Sequence, residues 1–194
     1  MEIVKHYEFE SSHIVREASS ARCKYSIHGH SYKTEVAIES SRLNDADMVV
    51  DFIDLKPIKM LVDSLDHSHM IGYQDKKFPD YVRSMIENSE RIIELPLNPT
   101  AESIAFIILI SAVMLSEDLP GNPFNVSYVR VWETRTGSAI ARDKDIYTLE
   151  YSDGRKILDV IRERGFLISP KFYDSAELPI IIDKINRKVV NYEN

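Results

Sequence analysis

Apolar side chains alternate through the opening stretch "EIVKHYEFESSH", with Ile3, Tyr7, Phe9 and then His13 at odd positions. A strand sends successive side chains to opposite faces, so the pattern predicts a strand over 2–13 whose apolar face ends in His13. A second alternation covers 28–39: His28, His30, Tyr32, Thr34, Val36 and Ile38 on one side, Lys33, Glu35 and Glu39 on the other. Between them lies "IVREASSARCKYSI", a polar loop too long for a tight hairpin. The period then becomes helical. Leu55, Ile58, Leu61, Val62 and Leu65 follow Asp54 as N-cap and Pro57 in the first turn, and this helix is expected to end near "LDHSH". In the polar stretch 70–95 only a helix around 80–87 is expected. "NPTAES" opens a long apolar helix capped by Asn98 or Thr100, and "LPGNP" at 119–123 closes it. Two strands, 125–135 and 138–150, follow, joined tightly through "RTGS". "GRKILDVIRERG" reads as a short helix with Ile157, Leu158 and Ile161 inward, while "FLISPKFYDSAELPIIIDKINRKVV" yields no assignment. Strand, strand, helix, helix, strand, strand predicts an α+β fold, with helices packed on one face of an antiparallel sheet.

The run "IAFIILISAVML" at 104–115 alters the picture, because it is apolar on nearly every side. It falls short of the about 20 residues that a bilayer span requires. Its second face therefore needs cover from a sheet, a neighbouring helix or another subunit, which makes a homo-oligomer the expectation. The length of 194 residues suits one domain with a sizeable core. With 24 Lys and Arg against 31 Asp and Glu, the net charge of −7 excludes the basic footprint of a nucleic-acid partner. "MEIVKHYEFE" has no signal-peptide pattern, and a single cysteine permits no internal disulfide. Together these predict a cytoplasmic protein without a membrane segment.

Candidate chemistry concentrates in "ARCKYSIHGHSYK", residues 21–33. Imidazoles at i and i+2 of a strand project the same way, and Gly29 between them adds no bulk. His13 supplies a third nitrogen if the strands pair. Three neutral imidazoles with one open position describe a catalytic zinc site, although "HGH" by itself also fits ordinary surface histidines. Cys23 sits between Arg22 and Lys24 in a polar loop, which suits a proton-accepting thiol. Lone cysteines are commonly inert, and the local sequence supports both readings. Asp66 beside His67 is a carboxylate–imidazole pair, or simply the capped end of a helix. Glu133 ends the apolar face of Ser127, Val129 and Val131, where its two oxygens suit a ligand with adjacent N–H donors. Glu102 in a first helical turn is explained by the helix dipole alone. His6 and His69 read as structural.

Assembled in order, "FESSH", Cys23 followed by "HGHSYK", "MVVDFIDLK", "LDH", "NPTAES" and "VWET" resemble the 6-pyruvoyl- and 6-carboxy-tetrahydropterin synthase family over residues 3 to about 150. The resemblance implies the tunnelling fold, an oligomeric barrel (usually a hexamer of two trimers) and active sites between subunits. It implies zinc bound by His13, His28 and His30, Cys23 as catalytic proton acceptor, and Asp66 with His67 as a relay. It makes Glu133 the group that grips the pterin ring and takes part in catalysis, and puts Thr100 and Glu102 in the pterin pocket. Residues 1–150 would be the synthase-like domain and 151–194 an extension. The chain departs from the family pattern in three places: four residues separate Cys23 from His28, the 70–95 stretch is long, and the extension has no counterpart in short members.

The implied reaction converts 7,8-dihydroneopterin triphosphate to 6-carboxytetrahydropterin with release of acetaldehyde and triphosphate, feeding the deazaguanine route to queuosine. The 6-pyruvoyl product and a non-catalytic zinc- or pterin-binding module are the alternatives. For the triphosphate, Arg16, Arg22 and Lys24 are the candidate cations. A zinc hydrolase is disfavoured, because the chain has no "HExxH".

Overall fold

The computed structural model describes residues 1–88, 91–119, 124–164 and 175–192. Strand β1 (Glu2–His13) pairs antiparallel with β2 (His28–Glu39) along its whole length, and both match the alternation in the sequence. The intervening loop carries one short helix, α1 (Ala21–Tyr25). Helix α2 (Lys56–Asp63) has Pro57 in its first turn, but its N-cap is Leu55 rather than Asp54. A 3-10 turn over Phe52–Leu55 comes first and is capped by Asp51, whose carboxylate accepts from Ile53 N. The 70–95 stretch holds more than the expected helix α3 (Pro79–Asn88). Strand β3 (Ser68–Gly72) precedes that helix and β4 (Ile92–Leu95) follows it. Helix α4 (Ala101–Ser116) is capped by Thr100, whose hydroxyl accepts from Ser103 N. Of "LPGNP", the residues 120–123 lie outside the described residues.

Strands β5 (Asn125–Trp132) and β6 (Ser138–Arg142) complete a six-stranded sheet in the order β4-β3-β1-β2-β5-β6. The sheet is mixed rather than antiparallel, because β3 runs parallel to both β1 and β4. Fully buried parallel strands lose the polar alternation that marks a strand, and β3 is buried at all of its positions. The last strand also ends sooner than its sequence suggests. The Asp145 carboxylate accepts from Arg142 N at 2.7 Å and turns the chain into helix α5 (Asp145–Thr148).

Helices α6 (Ile157–Arg164) and α7 (Leu178–Asn191) end the described chain. Ile157, Leu158 and Ile161 point inward as expected, and with Leu178, Ile182, Ile185 and Val189 they join the same core as the sheet and α4. This supplies the cover that α4 demands: the chain's own α7 lies against α4 and α2. Lys188 of α7 donates to the Met114 carbonyl at 2.9 Å near the end of α4, and Tyr192 stacks on Tyr147. The apolar surround of α4 is thus satisfied within one chain, and oligomerisation has to rest on other features.

Candidate active site

His13 and His28 stand directly opposite each other on β1 and β2, and His30 faces the core side two residues on. Strand pairing alone therefore gathers the three rings. Their ligand atoms all lie within 4.8 Å of one another, and the Nε2 atoms of His13 and His28 are 3.1 Å apart. His30 meets both other rings edge-on, at 5.1 and 5.2 Å between centroids.

The hydrogen bonds behind the rings decide what the front can do. His13 Nδ1 donates to the Pro99 carbonyl at 2.5 Å, and His28 Nδ1 donates to the Ser26 carbonyl at 2.9 Å. With the protons fixed there, the neutral rings turn two Nε2 lone pairs toward each other, an arrangement that repels unless a cation lies between them. Two nitrogens at the usual Zn–N distance on a tetrahedral ion are about 3.3 Å apart, so the observed spacing fits. Burial lowers the pKa of His13 to about 4, against an upward pull from the Pro99 carbonyl. Burial also lowers that of His30, opposed by the Glu133 charge. Both rings are neutral near pH 7, as a ligand requires.

Sequence reasoning missed the groups that set these tautomers. Pro99 lies inside the "NPTAES" motif, and its carbonyl is the one that His13 reaches. Tyr32, on the histidine face of β2, places its hydroxyl oxygen 3.2 Å from His13 Nδ1. The position of Tyr32 was the only signal available, since backbone carbonyls leave no trace in residue types.

A cavity of about 790 Å³ opens in front of the rings. His13, His28, His30, Cys23, Arg22, Thr100, Glu102 and Glu133 all line it. Cys23 is half-buried on α1, and its carbonyl accepts from Val15 N at 3.0 Å, closing the loop at its base. Glu133 stands just past β5 with its Oε1 3.7 Å from His13 Nε2. The turn that holds Glu133 is fixed by Thr134, whose hydroxyl accepts from Gly137 N at 2.9 Å. A side chain at Gly137 would come within 3.1 Å of that hydroxyl.

Two expected contributors lie elsewhere. Asp66 and His67 form a close pair, Nδ1 to Oδ2 at 2.8 Å, yet neither lines the cavity. Asp66 Oδ1 accepts from Glu10 N and the Glu10 carbonyl accepts from His67 N, both at 2.7 Å, which anchors the pair on the edge of β1. His67 adopts a left-handed φ of 53°, and its side chain is 79% exposed. Partial burial raises the pKa of Asp66, but hydrogen bonds from Glu10 N and His67 outweigh it and hold the carboxyl below its usual range. Arg16 is also withdrawn from the cavity. Its Nε donates to Asp75 Oδ1 at 2.7 Å and its guanidinium lies between the Phe78 and Tyr81 rings, so of the three candidate cations only Arg22 lines the cavity.

A curled α+β sheet that presents three histidines with a cysteine and carboxylates around one cavity defines an enzyme-like candidate metal site. The chain matches the 6-pyruvoyl tetrahydropterin synthase family over residues 2–144 and belongs to that family of enzymes. It is 36% identical over 151 residues to the 6-carboxy-5,6,7,8-tetrahydropterin synthase of Helicobacter pylori strain J99, covering 75% of this chain and 74% of that one. The protein of the same name from Aquifex aeolicus is 31% identical over 157 residues, covering 71% of this chain and 95% of its own. Among solved structures, an uncharacterized protein from Wolinella succinogenes superposes with a TM-score of 0.61 at 24% identity, over 74% of this chain and 98% of that one. The Caenorhabditis elegans 6-pyruvoyl tetrahydropterin synthase gives 0.50 at 18% identity, over 73% and 94%. These two likenesses speak for the fold.

Proposed function

We propose that this chain is a zinc-dependent 6-carboxy-5,6,7,8-tetrahydropterin synthase, a lyase acting on 7,8-dihydroneopterin triphosphate in the cytoplasm and serving queuosine synthesis. The observation that carries the reading is the single cavity on which His13, His28, His30, Cys23, Glu102 and Glu133 converge, in a chain whose curated relatives bear that name. Zinc held by the three imidazoles would act as a Lewis acid toward oxygens of the substrate side chain. Cys23 would take the proton from that side chain. Glu133 would accept the N–H donors of the pterin edge and fix the reacting carbon beside the metal, with Thr100 and Glu102 lining the ring pocket. Arg22, at the mouth, would meet the triphosphate.

The relay pair needs a second subunit in this reading. His67 is exposed and outside its own chain's cavity, which is what a group serving a neighbour's site would look like. Two of the unpaired sheet edges, on β1 and on β6, support a closed ring of subunits. Along 2–9, β1 has β2 on one side and no strand on the other among the described residues, and β6 ends the sheet opposite. A groove beside the free edge of β1 carries Phe52 and Ile53, the latter 75% exposed. Tyr7 also lines this groove, and its buried hydroxyl lacks a hydrogen-bond partner among the described residues. We read residues 1–150 as the synthase domain and 151–194 as an extension, whose described helices α6 and α7 join the domain's core.

Product analysis tests the proposal. Zinc-loaded protein given dihydroneopterin triphosphate should release acetaldehyde with 6-carboxytetrahydropterin. A product that keeps its three-carbon side chain would reassign the chain to 6-pyruvoyl synthesis, and no turnover would leave it a binding module.

A further inference from the structure

The stretch between β3 and α3 contains a network that reaches the Cys23 loop from outside the cavity. Asp75 is buried to 1% exposure in the 3-10 turn that follows β3. Its Oδ2 accepts from Gly72 N at 3.1 Å, and its Oδ1 accepts from Arg16 Nε at 2.7 Å. The Arg16 guanidinium carbon lies 4.6 Å from the centroids of both Phe78 and Tyr81, so the cation is held between two rings as well as paired. Tyr81 continues the network: its hydroxyl is 2.9 Å from His69 Nε2, and His69 Nδ1 is 2.9 Å from Ser12 Oγ. Gly72 belongs to the design as well. A side chain there would come within 3.0 Å of Asn98, on the segment that leads to the Pro99 carbonyl.

We propose that Arg16, clamped by Asp75, Phe78 and Tyr81, is a positioning residue that holds the Cys23 loop in its reactive place. The path is short. Arg16 follows Val15, whose N–H donates to the Cys23 carbonyl, so fixing Arg16 fixes the strut under the thiol. A surface ion pair would do this poorly, because water competes for both partners. Here one partner is fully enclosed, the other is only 18% exposed, and the rings restrict the guanidinium further. This inference rests on Cys23 being the proton acceptor of the proposed reaction, and it gives the segment 72–81 a task that its sequence does not announce.

The experiment compares Arg16→Gln, Asp75→Asn and Tyr81→Phe with wild type, all as zinc-loaded full-length protein, by steady-state kinetics and by the rate at which iodoacetamide alkylates Cys23. Misplacing a reacting group by about 1 Å costs up to about 100-fold, so kcat should fall about 10- to 100-fold in Arg16→Gln and Asp75→Asn, with KM and zinc content unchanged. Alkylation should change several-fold in the same variants, and Arg16→Lys should recover part of kcat by keeping the charge opposite Asp75. Tyr81→Phe keeps the ring that covers Arg16 and should show a smaller loss, which preserves the test if the charge variants fold poorly. Ile185→Val, a core change far from the loop, lowers stability and should leave the alkylation rate unchanged. Wild-type kcat and alkylation in Arg16→Gln would overturn the proposal, as would an alkylation change equal to that of Ile185→Val. If wild type itself fails to turn over the substrate, the functional reading falls, while the alkylation arm still decides whether the clamp holds the loop.

Discussion

At the scale of single residues, the site depends on where two protons sit. The carbonyls of Pro99 and Ser26 hold the Nδ1 protons of His13 and His28, which leaves both Nε2 atoms free on the cavity side. Replacing His13 or His28 by Ala should abolish stoichiometric zinc binding, whereas Tyr32→Phe should weaken it by about tenfold, the lower end for a group behind a ligand. Equilibrium dialysis against zinc reads both effects, and undiminished binding by His28→Ala would contradict the ligand assignment. The same burial makes the zinc-free protein sensitive to acid. The folded pKa of His13, about 4, lies below the ordinary 6.5, so between these values the unfolded chain binds more protons than the folded one. Stability that is complete above pH 6.5 is therefore lost as pH falls toward 4, by an amount on the order of 3 kcal/mol. Melting temperatures of chelated protein at about pH 7 and about pH 5 should show the larger part of this drop, and a His13→Asn variant should flatten it.

At the scale of elements, helix α7 has the clearest consequence. It closes over α4 and α2 and lends Lys188 to the end of α4, so cutting the chain after α6 would bare the most apolar helix among the described residues. Within α7, Ile185→Ala should cost about 2–5 kcal/mol, because the buried Ile185 side chain leaves a cavity at the helix junction. Chemical denaturation reads the cost, and a change under about 0.5 kcal/mol would place α7 outside the cooperative core. Residue patterns revealed the long elements well. The strands with alternating faces, α2 and α4 lie where periodicity puts them, as do the histidines at the ends of β1 and β2. The short parallel strand β3 escaped because burial at every position removes alternation, and β4 because four residues are too few to show a period. Helix α7 escaped because the apolar "PIII" run obscured its helical stripe. The Asp66–His67 pair was visible as residue types, but its distance from the cavity is set by the backbone bonds to Glu10, which no spacing reveals.

At the scale of the whole molecule, the question is how the open sheet edges along β1 and at β6 are closed. The free edge of β1, with Phe52 and Ile53 beside it, should pair with the β6 edge of another copy. Light scattering of the wild type should then give a mass several times that of one chain. Ile53→Asp should shift the population toward monomer and lower activity with it, since His67 would no longer reach a neighbouring cavity. A wild-type monomer with full activity would contradict that assembly. The central claim remains the convergence of three imidazoles from β1 and β2 on one ion. Zinc content per chain of purified, zinc-equilibrated protein, measured by mass spectrometry after removal of loosely held metal, tests it most directly. The account predicts one zinc per chain in wild type and none in His28→Ala; equal zinc in both, or none in either, would contradict it.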